Sequence, residues 1–288
     1  MARNRGYNEP LRLRLTRRIR SYFRMKTLGR YGIGYLVETP QGVFAVDPED
    51  WWITRALLKQ GSSALQAIRF LSRLICKDSL VCFIGAHIGT LLVPLAARAG
   101  RVVAYEADPS NFRYLGYNLQ LNGISNATIH NLAVGDRDGA EVTIRHDRSN
   151  TGHSSIEFGS SRDGRQVPMV TLGQHLLNDA GIDLVVMDIE GAEVHALRGM
   201  SEIMPRIRYL HTEFCPQYLA ELGECHDSFI EALAPHWSHM YVCGNTKVAL
   251  ARGSWVEKLR NMRSRKNLLL KLLFTNEYLA PELLRTEG

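Results

Sequence analysis

Cysteine pairs at metal-ligand spacing are missing from this chain. Its five cysteines, Cys76, Cys82, Cys215, Cys225 and Cys243, form no C-x-x-C. They read as reduced thiols of a cytoplasmic protein, with no disulfide framework implied. No internal repeat or low-complexity tract is visible. An apolar signal-peptide core is also lacking, because arginines interrupt every short hydrophobic run before Tyr31. One stretch lacks formal charge over a bilayer-crossing length, LVCFIGAHIGTLLVPLAA at 80–97, but two glycines, a histidine and a proline break it. A buried strand, a turn and a helix account for it better than a membrane span. Acids are nearly absent from residues 1–30, where ten Lys or Arg face Glu9 alone. That segment contributes +9 to a formal net charge of +6, so the rest of the chain sums to −3. The basic balance belongs to an arm and not to the body.

With 288 residues, 45% of them hydrophobic and 22% charged, the chain is long and apolar enough to bury a sizeable core. In the arm, Leu11, Leu15, Ile19, Tyr22 and Phe23 fall at helical spacing and leave the arginines largely on other faces. This basic amphipathic helix either docks on its own domain with solvated arginines or, through residues 11–26, contacts an anionic membrane surface or polymer. Nucleic acid is not the expected partner, given the −3 balance of the body and the lack of a recognised motif. Residues 33–38 and 43–47 read as a hairpin, followed by helical stretches in the fifties and over 63–75. From residue 80, apolar strands alternate with amphipathic helices, which is the pattern of a parallel sheet covered on both faces. Asp108 as a cap, Pro109 in the first turn, the apolar line Phe112, Leu115 and Leu119, and Gly123 at the end define one helix. MYVCG and KVALA read as a C-terminal antiparallel hairpin, and 253–274 as a basic, Leu-rich helical segment.

Ligands of open parallel sheets sit outside the carboxyl ends of the strands. Those ends carry Gly85 and Gly89, Glu106, Asp136, Asp188 with Glu190, and Glu213. Glycines at 85 and 89 let the backbone bend and approach a ligand, and the helix that follows offers free N–H groups to a carboxylate. Glu106, about twenty residues on, is placed to accept hydrogen bonds from ribose hydroxyls. G-x-x-x-G lacks the third close glycine a dinucleotide pyrophosphate wants. It suits a cofactor with one nucleoside and a short carboxylate tail, such as S-adenosylmethionine.

GAHIG, VVAYEADPSNFRYLGYNLQLNG, LAVGDRDG, NTGHSS and VVMDIEGAEVHALRGM, in that order, closely resemble the FkbM family of S-adenosylmethionine-dependent methyltransferases over about residues 44–220. The resemblance implies a class I methyltransferase, an α/β Rossmann-like fold with a seven-stranded, mostly parallel sheet whose last strand is antiparallel. It also implies O-methylation of a hydroxyl on a glycan or a secondary metabolite such as a polyketide. By position, the cofactor loop falls on Gly85, Ala86, His87 and Gly89, the ribose acid on Glu106 beside Ala107, and the motif after the third strand on Asp136; Asp188 also borders the cofactor. The family normally has Asp where this chain has Phe83, so cofactor binding is expected to weaken by about one to two decades if nothing compensates. His87, in place of the usual Asn, either supplies a replacement hydrogen bond or is a satisfied loop histidine. The alternative reading is a catalytically silent binding or scaffold domain with a decayed cofactor site.

A hydroxyl nucleophile benefits from a base, and Asp188, Glu190, Glu213 and His153 are the candidates for that role or for orienting the substrate. The three carboxylates also offer the hard oxygens a divalent metal takes, but without local ligand spacing no metal is expected. The resulting organisation is a basic arm over 1–30, a hairpin and helices covering the cleft over 31–78, a methyltransferase domain over 79–252, and a basic helical segment over 253–288.

Overall fold

A computed structural model describes residues 32–62, 64–146, 151–153, 155–157, 164–176, 179, 181–244, 248–250, 254–262 and 268–284. The basic arm and its expected membrane contact lie outside the described residues. The first half of the strands is β1 (Tyr35–Thr39), β2 (Gly42–Val46), β3 (Leu80–Ile84), β4 (Arg101–Tyr105), β5 (Ala127–His130), β6 (Ala133–Val134) and β7 (Glu141–Arg145). The second is β8 (Ser155–Glu157), β9 (Arg165–Val170), β10 (Ile182–Met187), β11 (Ile207–Phe214), β12 (His239–Cys243), β13 (Val248–Leu250) and β14 (Leu270–Thr275).

The main sheet runs β13-β12-β14-β11-β10-β3-β4-β5. β5, β4, β3, β10 and β11 pair in parallel, and β14 lies antiparallel between β11 and β12. Seven of these strands give the expected class I methyltransferase order; β13 extends the far edge. β3 and β10 are each a short apolar run, because helices cover both faces and neither side has to be polar. One face buries Phe83, Val186, Leu273 and Tyr241 with Phe44 of the hairpin and Leu92 and Leu115 of helices. The other buries Cys82, Val185, Leu210 and Phe274 with Val194, Phe229 and Trp255.

The antiparallel strand is not where the sequence reading put it. Residues 253–274 are not one helical segment: among the described residues a helix covers Trp255–Arg260, and Leu270–Thr275 is β14, inside the sheet. The C-terminal hairpin supplies β12, whose direction matches the parallel strands, so the expected 253–288 helical segment carries a strand of the methyltransferase sheet. Leu272, Leu273 and Phe274 are buried on both faces of a covered sheet, so LLLKLLF shows no period of two and its pattern resembles that of a buried helix.

The expected helix spans Pro109–Leu121, with the Asp108 carboxylate accepting from Ser110 N at 2.7 Å and Asn111 N at 3.4 Å. Such a cap is worth about 1 kcal/mol. Its buried face is Asn111, Tyr114, Leu115, Asn118 and Leu119, with Phe112 only half-buried. Asn118 is buried because it pairs with the hairpin backbone, its Oδ1 accepting from Ala45 N at 2.6 Å; the half-buried Asn122 Oδ1 accepts from Val43 N at 2.8 Å, and the buried Asn111 donates to Thr151 O instead. ATIHNLAV, read as one strand, splits into β5 and β6, and β6-β9-β7-β8 form a second sheet that builds one wall of the site.

Candidate active site

The strand order reverses between β3 and β10, which is where an open sheet leaves a crevice. Gly85 sits at that point with φ 82°, and a Cβ there would lie 2.1 Å from the carbonyl oxygen of Asp188. Only glycine lets the two strand ends approach this closely. Gly85 N and Ala86 N both donate to Tyr105 O, at 2.9 and 3.1 Å, which folds the loop back over β4. Gly89 is likewise left-handed and packs on Leu115. Above these turns lies a cleft whose polar side is Gly85, His87, Glu106, Asp188 and Glu190. Leu132, Ala133, Val134, Ile144 and Ile156 form its apolar side.

Glu106 follows β4 and faces this cleft while buried to 6% exposure. Its two oxygens are oriented separately: Oε2 accepts from His87 N at 2.7 Å and Oε1 from Asp108 N at 2.8 Å. Burial pushes its carboxyl up to about 7, with these two backbone donors pulling the other way. With Asn111 as a third donor, the carboxylate still keeps a lone pair for a ligand hydroxyl. His87 reaches its backbone position through φ 51° and turns its ring to the cleft's far side, where Nε2 meets Thr151 Oγ1 at 2.6 Å. Thr151 Oγ1 in turn donates to Asp50, and Thr151 O accepts from Asn111 Nδ2 at 3.1 Å. His87 is therefore committed to the segment 151–153, and burial pushes its ring pKa down.

On the other side of Gly85 the acids form a row. In register, Glu213 on β11 stands opposite Lys271 on β14, and Asp188 follows β10 at the same level. Lys271 Nζ donates to Asp188 Oδ2 at 2.6 Å and to Glu213 Oε1 at 2.8 Å. The Glu213 side chain is 4% exposed. Burial and then Asp188 push its carboxyl up, against the pull of Lys271. Against burial, Asp188 and Glu213 hold Lys271 charged. Glu190 stands at φ 52° between Ile189 and Gly191, and Glu193 fixes this turn by accepting from Ile189 N at 3.2 Å and Gly191 N at 3.0 Å. Burial, then the charges of Asp188 and Glu213, push the Glu190 carboxyl up to about 9. His211 lies one step below the row on β11. Burial and Lys271 lower it to about 4, so it is a neutral core histidine at physiological pH.

The structure thus brings together Gly85, His87, Glu106, Ala107, Asp188 and Glu190 around the cleft, with Glu213 buried behind Asp188. Ala86 and Gly89 shape the loop without lining the cleft. Asp136 does not line it either: its carboxylate accepts from His195 Nδ1 at 2.9 Å and so braces the helix Glu193–Gly199. His153 has its backbone in the turn Thr151–His153 beside the cleft, and its side chain lies outside the described residues. Phe83 is 1% exposed, packed in the apolar core beneath the row, and does not line the cleft. The sequence reading missed Lys271, hidden in an apolar run taken as helix, and Glu193, whose place in the DIEGAE turn marked it only as helical. Among the described residues, no helix is long and apolar enough to cross a membrane.

Comparison with known proteins follows the same segment. A methyltransferase FkbM from Methylobacillus flagellatus KT is 18% identical over 69% of this chain, with a TM-score of 0.43. The chain spans 44% of that protein's length. The Streptococcus mutans protein SMU.1697c, crystallised in complex with SAH, is 12% identical over 72% of this chain and 94% of its own, with a TM-score of 0.42. A precorrin-6y C5,15-methyltransferase from Geobacter metallireducens GS-15 is 12% identical over 74% of this chain and 89% of its own, at 0.41. No curated protein matches the chain. Residues 84–241, more than half of the sequence and the part that carries the cleft from Gly85 to Glu213, match the methyltransferase FkbM domain, and the chain belongs to that family.

Proposed function

We propose that the protein is an S-adenosylmethionine-dependent O-methyltransferase acting on a hydroxyl of a carbohydrate or secondary metabolite. The observation that carries this reading is Glu106, a buried carboxylate at a strand end whose oxygens are each oriented by a backbone N–H. The cleft suits the cofactor at three points. Glu106 is set to accept from ribose hydroxyls, the apolar wall of Leu132, Val134, Ile144 and Ile156 offers a slot for a flat base, and Gly85 lines the cleft next to Asp188 with no side chain to obstruct a tail. When bound, S-adenosylmethionine supplies a sulfonium methyl that a nucleophile attacks in line.

The residues of the chain supply orientation and proton handling. Asp188, held by Lys271 through one oxygen, presents the other at the edge of the cleft to accept from an acceptor hydroxyl. Glu190 lines the same wall, and with its carboxyl pushed up to about 9 it holds a proton at neutral pH. A positive charge entering the cleft lowers that value, so that Glu190 gives up its proton to solvent and can then take the proton of the hydroxyl. Glu213 acts through Lys271 and positions Asp188.

The silent-domain reading rested on Phe83. That ring lies in the core and does not obstruct the cleft, while the acid it replaces is still lacking, so cofactor binding itself separates the two readings. Calorimetric titration of S-adenosylhomocysteine into the protein tests the cofactor, and a screen of hydroxylated acceptors with methyl-labelled cofactor tests the reaction. Absence of heat at high ligand concentration overturns the first part. Label delivered only to nitrogen or carbon overturns the second.

A further inference from the structure

The row of acids beside the cleft has a feature that methyl transfer alone does not explain. Asp188, Glu190 and Glu213 each offer one carboxylate oxygen within 4.8 Å of those of the other two. Behind them, Glu213 Oε2 is buried and has no hydrogen-bond partner. Buried polar atoms are almost always satisfied, so a carboxylate oxygen left without a partner on a residue clustered with two more carboxylates marks a place for a ligand of positive charge.

Lys271 does not fill that place. Its ammonium holds Asp188 Oδ2 and Glu213 Oε1 and so leaves the second oxygen of each to a ligand. Carboxylate ligands that are themselves hydrogen-bonded from behind are the usual build of such sites.

We propose that Asp188, Glu190 and Glu213 bind one hard divalent cation of the Mg2+ or Mn2+ class, with Lys271 fixing two of the ligands from behind. Three oxygens leave coordination positions open in an octahedral ion. Asp188 and Glu190 line the cleft, so those positions face the place where an acceptor hydroxyl would lie. Ion binding itself does not depend on the methyl-transfer reading.

The test is a titration of Mn2+ into the full chain, followed by the paramagnetic resonance signal of the free ion. One bound ion per chain is expected. Binding should weaken by at least about tenfold in Glu213→Gln and in Asp188→Asn. It should persist in Asp227→Asn, which alters a second group, Cys225, His226 and Asp227, that also clusters ligand atoms. Asp188 is half-exposed, so its variant remains informative if Glu213→Gln fails to fold. Absence of binding at about 1 mM Mn2+ overturns the proposal. So does binding that survives both site variants, or that only Asp227→Asn removes. S-adenosylhomocysteine titrated into the same samples keeps the two ideas apart: heat from it without Mn2+ binding sinks the cation site and leaves the proposed activity standing.

Discussion

Replacing Glu106 by Gln isolates the contact on which cofactor recognition depends. The wild-type carboxylate serves two backbone donors, His87 N and Asp108 N, and has lone pairs left for ribose. Glutamine keeps one acceptor oxygen and turns the other into a donor, which then faces a backbone N–H that also donates. The variant loses at least one charge-assisted bond to a ribose hydroxyl, about 1.5–3 kcal/mol, or roughly 10- to 150-fold in affinity. Calorimetry with S-adenosylhomocysteine at about pH 8 reads this difference while the wild-type carboxyl, pushed up to about 7, is ionised. Lowering the wild type to about pH 6 protonates that carboxyl and should weaken binding by roughly tenfold, whereas the variant should not respond. Affinities within about twofold of each other at the higher pH, in variant and wild type that both melt cooperatively, would refute the role assigned to Glu106.

Three further outcomes follow from the same geometry. Lys271→Met strips the cation from Asp188 and from the buried Glu213, and should cost about 3 kcal/mol in urea unfolding; an unchanged midpoint would mean the ion pair is idle. Phe83→Asp restores the residue usual in the family but places an unpaired charge among Leu92, Val186 and Leu273. It should lower the melting temperature without tightening S-adenosylhomocysteine binding, so a tighter, equally stable variant would contradict the placement of this side chain. Glu106 and Glu193, pushed up to about 7, and Glu190, to about 9, bind protons more tightly folded than unfolded, where the ordinary value is 4.5. Their contribution to stability is full below about 4.5 and lost as pH rises through 7 and then 9. Glu190→Gln should flatten the upper part of that decline in denaturant titrations.

The alternation from residue 80 onward was readable because each strand is a short apolar run bounded by polar turns, and each helix carries its own cap or glycine. Gly85 and Glu106 could be placed from spacing for the same reason: they stand where strands end. Other features depend on contacts between distant segments. Asp136 looks like a strand-end acid until His195, fifty-nine positions later, claims its carboxylate. Phe83 looked like a damaged cofactor residue because a motif position gives no direction, and only strand parity shows that it points into the core. Lys271 lies in an apolar run with no period, and its partners Asp188 and Glu213 come from two other strands. Pairing between strands has no local signature in a chain.

Thr151 gives the cleft one more property. Its single hydroxyl touches both His87 Nε2 and the Asp50 carboxylate, residues that come from the glycine loop after β3 and from the stretch after β2. Removing that one oxygen would unfasten three stretches of chain at once, while leaving every acid in the cleft in place. Two sides of the cleft therefore share a clasp, and a change at Asp50, outside the matched family segment, would reach both the loop of His87 and the turn of Thr151.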